Sequence, residues 1–243
     1  VIPAAVGATP RSETSRGLVV AERFGPTFQG EGPTAGQRSL FVRLSACNLS
    51  CVWCDEPHTW DRSRFDVDAH SERLSQSALL RWVLDSSVNR VVVTGGEPLL
   101  QQAALFPLVA ALTQAGRQVE IETNGTVAPT AELVAVVERF TVSPKLSSSR
   151  VAAGRRIVPA ALTAFAGCGQ AVFKFVVAGD GEIDEIAELE GRFGLAPVWV
   201  MPEGTDEPSV LAGMRHLAEI ALERGWNLSP RLHVLLWGNA RGR

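Results

Sequence analysis

The sequence predicts an α/β fold with a mainly parallel sheet, either open and doubly wound or curved into a full or partial barrel. Three observations carry that expectation. From Arg90 onward, β-branched runs alternate with stretches of helical period, and strand, helix, strand order implies right-handed crossovers and parallel pairing. Nearly every unusual motif comes directly after a strand-like run, which on parallel strands gathers the motifs on one rim. At 243 residues, 46% of them hydrophobic, the chain can also bury a sizeable core as one domain.

Taken in order, residues 1–17 mix Ala, Pro, Gly, Ser and Arg without periodicity. They lack the apolar centre of a secretory signal and read as a disordered tail, leaving 18–243 as a single domain. The first strand, 39–44, runs straight into a group of cysteines. A helix over 77–84 precedes a buried strand at 90–94, and a helix over 101–115 sets Ala104, Leu105, Leu108, Val109 and Leu112 on one face. Further strands are expected at 118–122, 140–143, 171–177, 197–201 and 231–236, with helices over 130–138, 180–193 and 209–224. The strand ends carry the cysteine loop, Gly95-Gly96-Glu97-Pro98, Thr123-Asn124-Gly125, Ser143-Pro144-Lys145 and Pro202-Glu203-Gly204. Five motifs converging on one rim argue for a barrel-like enclosure over a single crevice. In Phe173-Lys174-Phe175 the period of two sends either the lysine or the aromatics into the barrel, and the sequence leaves both open.

Composition narrows the class of function. A net charge of −3 offers no basic field to hold nucleic acid, and no run approaches the roughly 18 apolar residues of a membrane helix. A small-molecule substrate is the expectation. Of four cysteines, three are too close together for a secreted disulfide framework, so the reducing cytosol is the expected compartment. Cys168 reads as a plain thiol.

The other three, Cys47, Cys51 and Cys54, are spaced C-x3-C-x2-C after the first strand. Three thiolates can hold a cube of iron and sulfide while leaving one iron open to a substrate or cofactor. The alternative adds His58 and closes a structural Cys3His zinc site in a binding module. Against zinc, structural modules bring their ligands from two separate knuckles, whereas here three thiolates crowd one loop.

The spacing, with Trp53 just before the last cysteine, resembles the radical S-adenosylmethionine (SAM) superfamily, whose fold is a (β/α)6-type partial barrel. The resemblance implies a 4Fe-4S cluster on the three cysteines and SAM on the open iron, with an electron cleaving the sulfonium to a 5′-deoxyadenosyl radical. No side chain is then required as a nucleophile. Gly95, Gly96 and Glu97 match the superfamily's second motif, which holds the methionyl ammonium; carbonyls and a carboxylate suit a cation, and glycines let the backbone approach. Thr123, Asn124, Ser143 and Lys145 resemble further cofactor contacts, and Asp55, next to the cluster, is expected to bind cofactor or to cap the turn.

A narrower resemblance lies in Phe28-Gln29-Gly30-Glu31-Gly32, Gly36, Phe41-Val42-Arg43-Leu44, Cys47-Asn48-Leu49, Met201 to Thr205, and Leu235 to Asn239. These are similar to the 7-carboxy-7-deazaguanine synthases of the 7-deazapurine (queuosine precursor) pathway. The resemblance implies the substrate 6-carboxy-5,6,7,8-tetrahydropterin, hydrogen abstraction at carbon 6, ring contraction and loss of ammonia, with SAM regenerated. It carries Glu31 over to the pterin's amino-pyrimidine edge and Arg43 to its carboxylate. The chemistry is complementary, since a carboxylate accepts paired N–H donors and a guanidinium forks onto a carboxylate. Gln29, Gly30 and Thr94 are weaker substrate contacts. A homodimer and an electron donor such as flavodoxin or ferredoxin are also implied. Another radical enzyme, such as a glycyl-radical activase, would share the cofactors without needing Glu31 and Arg43.

One position departs from the family. Where a threonine hydroxyl usually ligates Mg2+ beside the substrate, two residues after the last cysteine, this chain has Glu56. A carboxylate is a harder ligand than a hydroxyl, so the expectation is a metal-supported site with Glu56 as ligand.

Overall fold

The computed structural model describes residues 17–238 and 240–242. The tail expected over 1–17 therefore lies, but for Gly17, outside the described residues, as does Asn239 of the C-terminal motif. One sheet organises the chain. Its strands are β1 (Leu18–Phe28), β2 (Arg38–Leu44), β3 (Glu72–Leu74), β4 (Arg90–Gly95), β5 (Gln118–Thr123), β6 (Arg139–Val142), β7 (Ala171–Val177), β8 (Val198–Pro202) and β9 (Asn227–Leu228). Their spatial order is β3-β1-β2-β4-β5-β6-β7-β8-β9. From β2 through β9 every pairing is parallel, while β1 and β3 add an antiparallel edge. The sheet does not close on itself, which matches the expected partial barrel.

Helices α1 (Gln76–Leu84), α2 (Gln102–Gln114), α3 (Ala131–Val134), α4 (Ala153–Arg156), α5 (Pro159–Cys168), α6 (Gly181–Phe193), α7 (Glu207–Arg224) and α8 (Leu232–Trp237) complete the chain. Ser75 starts α1 by accepting from Ala78 N at 3.2 Å, and Asp206 starts α7 by accepting from Ser209 N at 2.9 Å. Both are side-chain caps for otherwise unpaired first-turn donors. Glycines in left-handed conformation end α5, α6 and α7.

Two expected elements differ. The helix expected over 130–138 is only α3, because Val136 and Val137 already turn toward β6. The strand expected over 231–236 is instead helix α8, so His233 sits on a helix. A short apolar run such as Leu232 to Leu236 carries no decisive period. The parallel ladder stops at Leu228, and Pro230 cannot donate to a continuing one. Strand β1 and helix α5 were not anticipated; Gly25-Pro26 and two irregularities of register break the alternation of β1.

Each strand has two chemically different faces. Leu40, Val42 and Leu44 of β2, Val91 and Val93 of β4, Val119 and Ile121 of β5, and Phe173, Phe175 and Val177 of β7 join the helices in one continuous core. The alternate residues face the barrel interior and are largely polar. The open question at β7 is thereby answered: both phenylalanines are 0% exposed in the core, and Lys174 enters the barrel.

The barrel floor is a polar network rather than hydrocarbon. Buried Arg90 reaches Gln37 Oε1 (2.9 Å), Gln118 Oε1 (3.3 Å), Glu138 Oε1 (3.2 Å) and Glu120 Oε2 (3.5 Å). Glu120, 0% exposed, also accepts from Thr34 and Thr141, each at 2.7 Å. Removing one member of such a network strands a buried charge, so Arg90→Met is expected to destabilise the fold by about 3 kcal/mol, a fall of roughly 6–12 °C in melting temperature. Adding Glu120→Gln should recover part of that loss in the same thermal melt.

Candidate active site

Register aligns the strand ends. Leu44 pairs with Gly95, Thr123 with Val142, and Val177 with Pro202, so the loops that follow open onto one rim. They enclose a cavity of about 680 Å³, and every expected site residue except Glu97 lines it. Its depth is set by the loop after β1, which folds inward instead of passing outside. Gln29 N donates to Gln37 O (2.8 Å), Gly32 N to Ser229 Oγ (2.7 Å), and Gly30 O accepts from Leu232 N (2.8 Å). This loop and the start of α8 span the unclosed side of the sheet. Gly30 is required there, because a Cβ would stand 2.0 Å from His233 Nδ1.

The three cysteines are free thiols in one loop, and all three line the cavity. Leu49 N donates to Cys47 Sγ (3.4 Å) and Trp60 Nε1 to Cys54 Sγ (3.3 Å). Burial pushes the Cys47 thiol up to about 11, and it raises Cys51 and Cys54 as well. Ligation at neutral pH therefore releases protons. The donor set fits a 4Fe-4S cube, with three sulfurs on one cavity wall, N–H groups directed at two of them, and open space beyond. It does not fit the zinc alternative. Among the described residues no three His, Cys, Asp or Glu close around a single ion, and His58 is turned to Arg241 Nη2 (2.8 Å) and toward Glu56.

Beside the cysteine loop, Gly95 and Gly96 line the cavity and press against the backbone that follows β2. A Cβ on Gly96 would lie 2.0 Å from Ala46 O, and one on Gly95 2.2 Å from Leu44 O. Glu97 follows this pair but does not line the cavity. It is 0% exposed and accepts from Leu99 N (2.9 Å), Thr123 Oγ1 (2.8 Å) and Asn124 N (2.7 Å). Burial raises its pKa, and its three hydrogen bonds tie the turn after β4 to the end of β5. Asn124 Nδ2 donates to Asn48 Oδ1 (3.0 Å), fastening β5 to the cysteine loop. Lys145 lies over the Trp53 ring at 5.5 Å and donates to Ser143 Oγ at 3.2 Å. Among the described residues it has no ion-pair partner, and it therefore offers the cavity an uncompensated positive charge.

The deeper part of the cavity holds residues that the sequence reading did not join. Glu31 is clamped by Lys174 from β7 and by Arg231 Nε at 3.2 Å. Burial works to raise the pKa of Glu31, but the two cations hold it well below the usual carboxylate range. Arg231 also binds Asp55 Oδ2 (2.7 Å) and Gly204 O (2.6 Å), linking the cysteine loop, the end of β8 and α8. Glu122 accepts from Gln29 Nε2 (3.0 Å) and Thr94 Oγ1 (2.7 Å). Lys174, Glu122 and Thr141 share one signal, a polar residue alternating with buried apolar ones on a parallel strand.

Arg43 presents its guanidinium over Phe24, 5.8 Å from the ring centroid, and Phe24 stacks on Phe41. Its Nε donates to Glu22 Oε1 (2.7 Å), and its Nη2 lies 2.9 Å from Glu56 Oε1. The other Glu56 oxygen, Oε2, is buried without a hydrogen bond, His58 Nδ1 being 3.3 Å away but poorly aligned. Burial pushes the Glu56 carboxyl up to about 7, against the pull of Arg43. An unmet buried carboxylate oxygen is the kind of hard donor that Mg2+ takes.

Comparison with known proteins agrees with this geometry. The family model described as the Radical SAM superfamily matches residues 42–156. The 7-carboxy-7-deazaguanine synthase of Pyrobaculum aerophilum is 36% identical, covering 98% of this chain and 100% of its own. That of Bacillus subtilis is 30% identical, covering 94% of this chain and 99% of its own. The crystal structure of QueE from Escherichia coli superposes with a TM-score of 0.70 at 27% identity, covering 89% of this chain and 95% of that one.

Proposed function

The chain belongs to the 7-carboxy-7-deazaguanine synthases of the radical SAM superfamily, and from that premise we propose that it converts 6-carboxy-5,6,7,8-tetrahydropterin to 7-carboxy-7-deazaguanine with loss of ammonia. The observation that carries the substrate reading is the cavity with a three-cysteine wall above and Glu31 and Arg43 below. When bound, the 4Fe-4S cluster and SAM supply a carbon-centred radical that abstracts hydrogen, and SAM is regenerated.

The protein's part is geometric. Cys47, Cys51 and Cys54 hold the cluster. The carbonyls of Gly95 and Gly96 receive the SAM ammonium, and the unpaired Lys145 receives its carboxylate, with Thr123, Asn124 and Ser143 beside them. Glu31, kept ionised by Lys174 and Arg231, accepts from the amino-pyrimidine edge, with Gln29, Gly30, Thr94 and Glu122 shaping that end. Arg43 binds the substrate carboxylate, and Mg2+, where present, is held by Glu56. Such enclosure fixes the reacting carbon near the radical source and keeps out water and competing hydrogen donors. Within this reading the protein works as a cytosolic homodimer fed by a one-electron donor such as flavodoxin or ferredoxin. No helix among the described residues is long and apolar enough to cross a membrane.

The test is anaerobic incubation of the reconstituted, reduced protein with SAM and the carboxypterin. The deazaguanine acid is the expected product, and Arg43→Ala is expected to lower kcat/KM by at least about 100-fold. Turnover unaffected by Arg43→Ala, or no deazaguanine acid at all, would refute the substrate assignment.

A further inference from the structure

Arg43 already has two carboxylates. Glu22 takes its Nε edge and Glu56 its Nη2 edge, and the guanidinium is held between them over Phe24. The two partners are not equivalent. Glu22 belongs to β1, fixed by its ladder to β2, and does not line the cavity. Glu56 lines the cavity and sits in a loop ahead of the short turn Pro57–Thr59, with one oxygen lacking any hydrogen bond. It therefore stands on the side of Arg43 from which a ligand arrives. A substrate carboxylate arriving from the cavity meets the Nη2 edge that Glu56 already occupies.

We propose that Glu56 is a built-in stand-in for the substrate's carboxylate, holding Arg43 in the ligand-free protein and yielding it when the acid binds. This rests on the substrate reading above. Binding is then an exchange of one carboxylate for another on a guanidinium that remains paired and oriented throughout. The exchange has a cost in affinity, because an intramolecular competitor must be displaced. In return, the guanidinium stays paired and oriented while no acid is bound, because a ligand without a carboxylate does not replace Glu56 on Arg43. Position 56 thus tunes recognition of the acid without touching the reacting carbon.

The measurement is equilibrium binding of two redox-inert pterins to the cluster-loaded protein with SAM, anaerobically and without added divalent cation. One pterin carries a 6-carboxylate and the other has hydrogen there. Glu56→Gln, close in shape, and Glu56→Thr, which is shorter, are each expected to bind 6-carboxypterin at least about tenfold tighter while binding pterin within about twofold of the parent. Unchanged or weaker binding of the acid by both variants overturns the exchange. So does equal tightening for both pterins, which indicates a widened cavity. Arg43→Ala separates the two readings. If it weakens 6-carboxypterin binding while the Glu56 variants gain nothing, only the exchange fails; if it leaves that binding unchanged, the substrate reading falls and the exchange with it.

Discussion

Replacing Cys47, Cys51 or Cys54 by Ala is expected to reduce turnover to background, with loss of the brown chromophore and of most of the bound iron. Each sulfur is one of three, and the loop gives no substitute. Asp55 is taken by Arg231, His58 by Arg241 and Glu56 by Arg43. Two thiolates leave two irons without protein ligands, and such a cluster is readily lost. The thiols are protonated at neutral pH in the metal-free chain because burial raises them. Alkylation of the metal-free protein should therefore be slow at pH 7 and accelerate at higher pH, and loading with iron and sulfide should protect all three cysteines. Iron analysis, absorbance near 400 nm and mass spectrometry of the alkylated protein together check the assignment. Full turnover in any one of the three variants would exclude a three-cysteine cluster.

Glu31→Gln is expected to have the next largest effect, a fall in kcat/KM of about 100- to 1000-fold with the cluster chromophore intact. Glutamine keeps the shape but presents an amide with one acceptor oxygen, and it leaves buried Lys174 facing a neutral group. Stranding that ammonium is expected to lower stability by about 3 kcal/mol as well. The pH dependence has a definite sign. Glu31 has a depressed pKa in the folded chain, so its contribution to stability is fully present above its ordinary value of 4.5 and is lost as pH falls. The stability gap between parent and variant should be constant near neutrality and narrow below about pH 4.5. Denaturant titrations at pH 7 and pH 4 measure this directly. A gap that widens on acidification would mean that Glu31 is not held ionised by Lys174 and Arg231.

Much of the site was legible because its chemistry is local in sequence. The spacing of three cysteines, a Gly-Gly turn after a strand, and Thr123, Asn124, Ser143 and Lys145 at later strand ends all map to one rim once the strands run parallel. At Glu97 the motif shows that a carboxylate is present but not which way it turns. Asn124 N and Thr123 Oγ1 claim it from the end of the neighbouring strand β5. The terminal run 231–236 was misread as a strand because five apolar or aromatic positions fit either period, and only the end of the ladder at Leu228 decides between them.

By itself, the sequence determined the α/β class, the order of most strands and helices, and the cysteine, glycine and arginine positions that point to a radical enzyme acting on an acid. The class, the order of elements and the cysteine spacing follow from periodicity and from spacing within single loops, both short-range properties of the chain; the glycine and arginine roles, and the acid substrate, follow from its resemblance to a known family. The tertiary structure alone decided the charge partners. Glu31 meets Lys174 and Arg231 from 143 and 200 residues away, and Glu22 and Glu56 converge on Arg43. It also turned Lys174 inward and the flanking phenylalanines outward. Which face of a strand is covered by helices, and which carboxylate reaches which cation, depends on how the sheet curves and where the loop after β1 enters it. That is a matter of packing among distant segments, which local pattern does not encode.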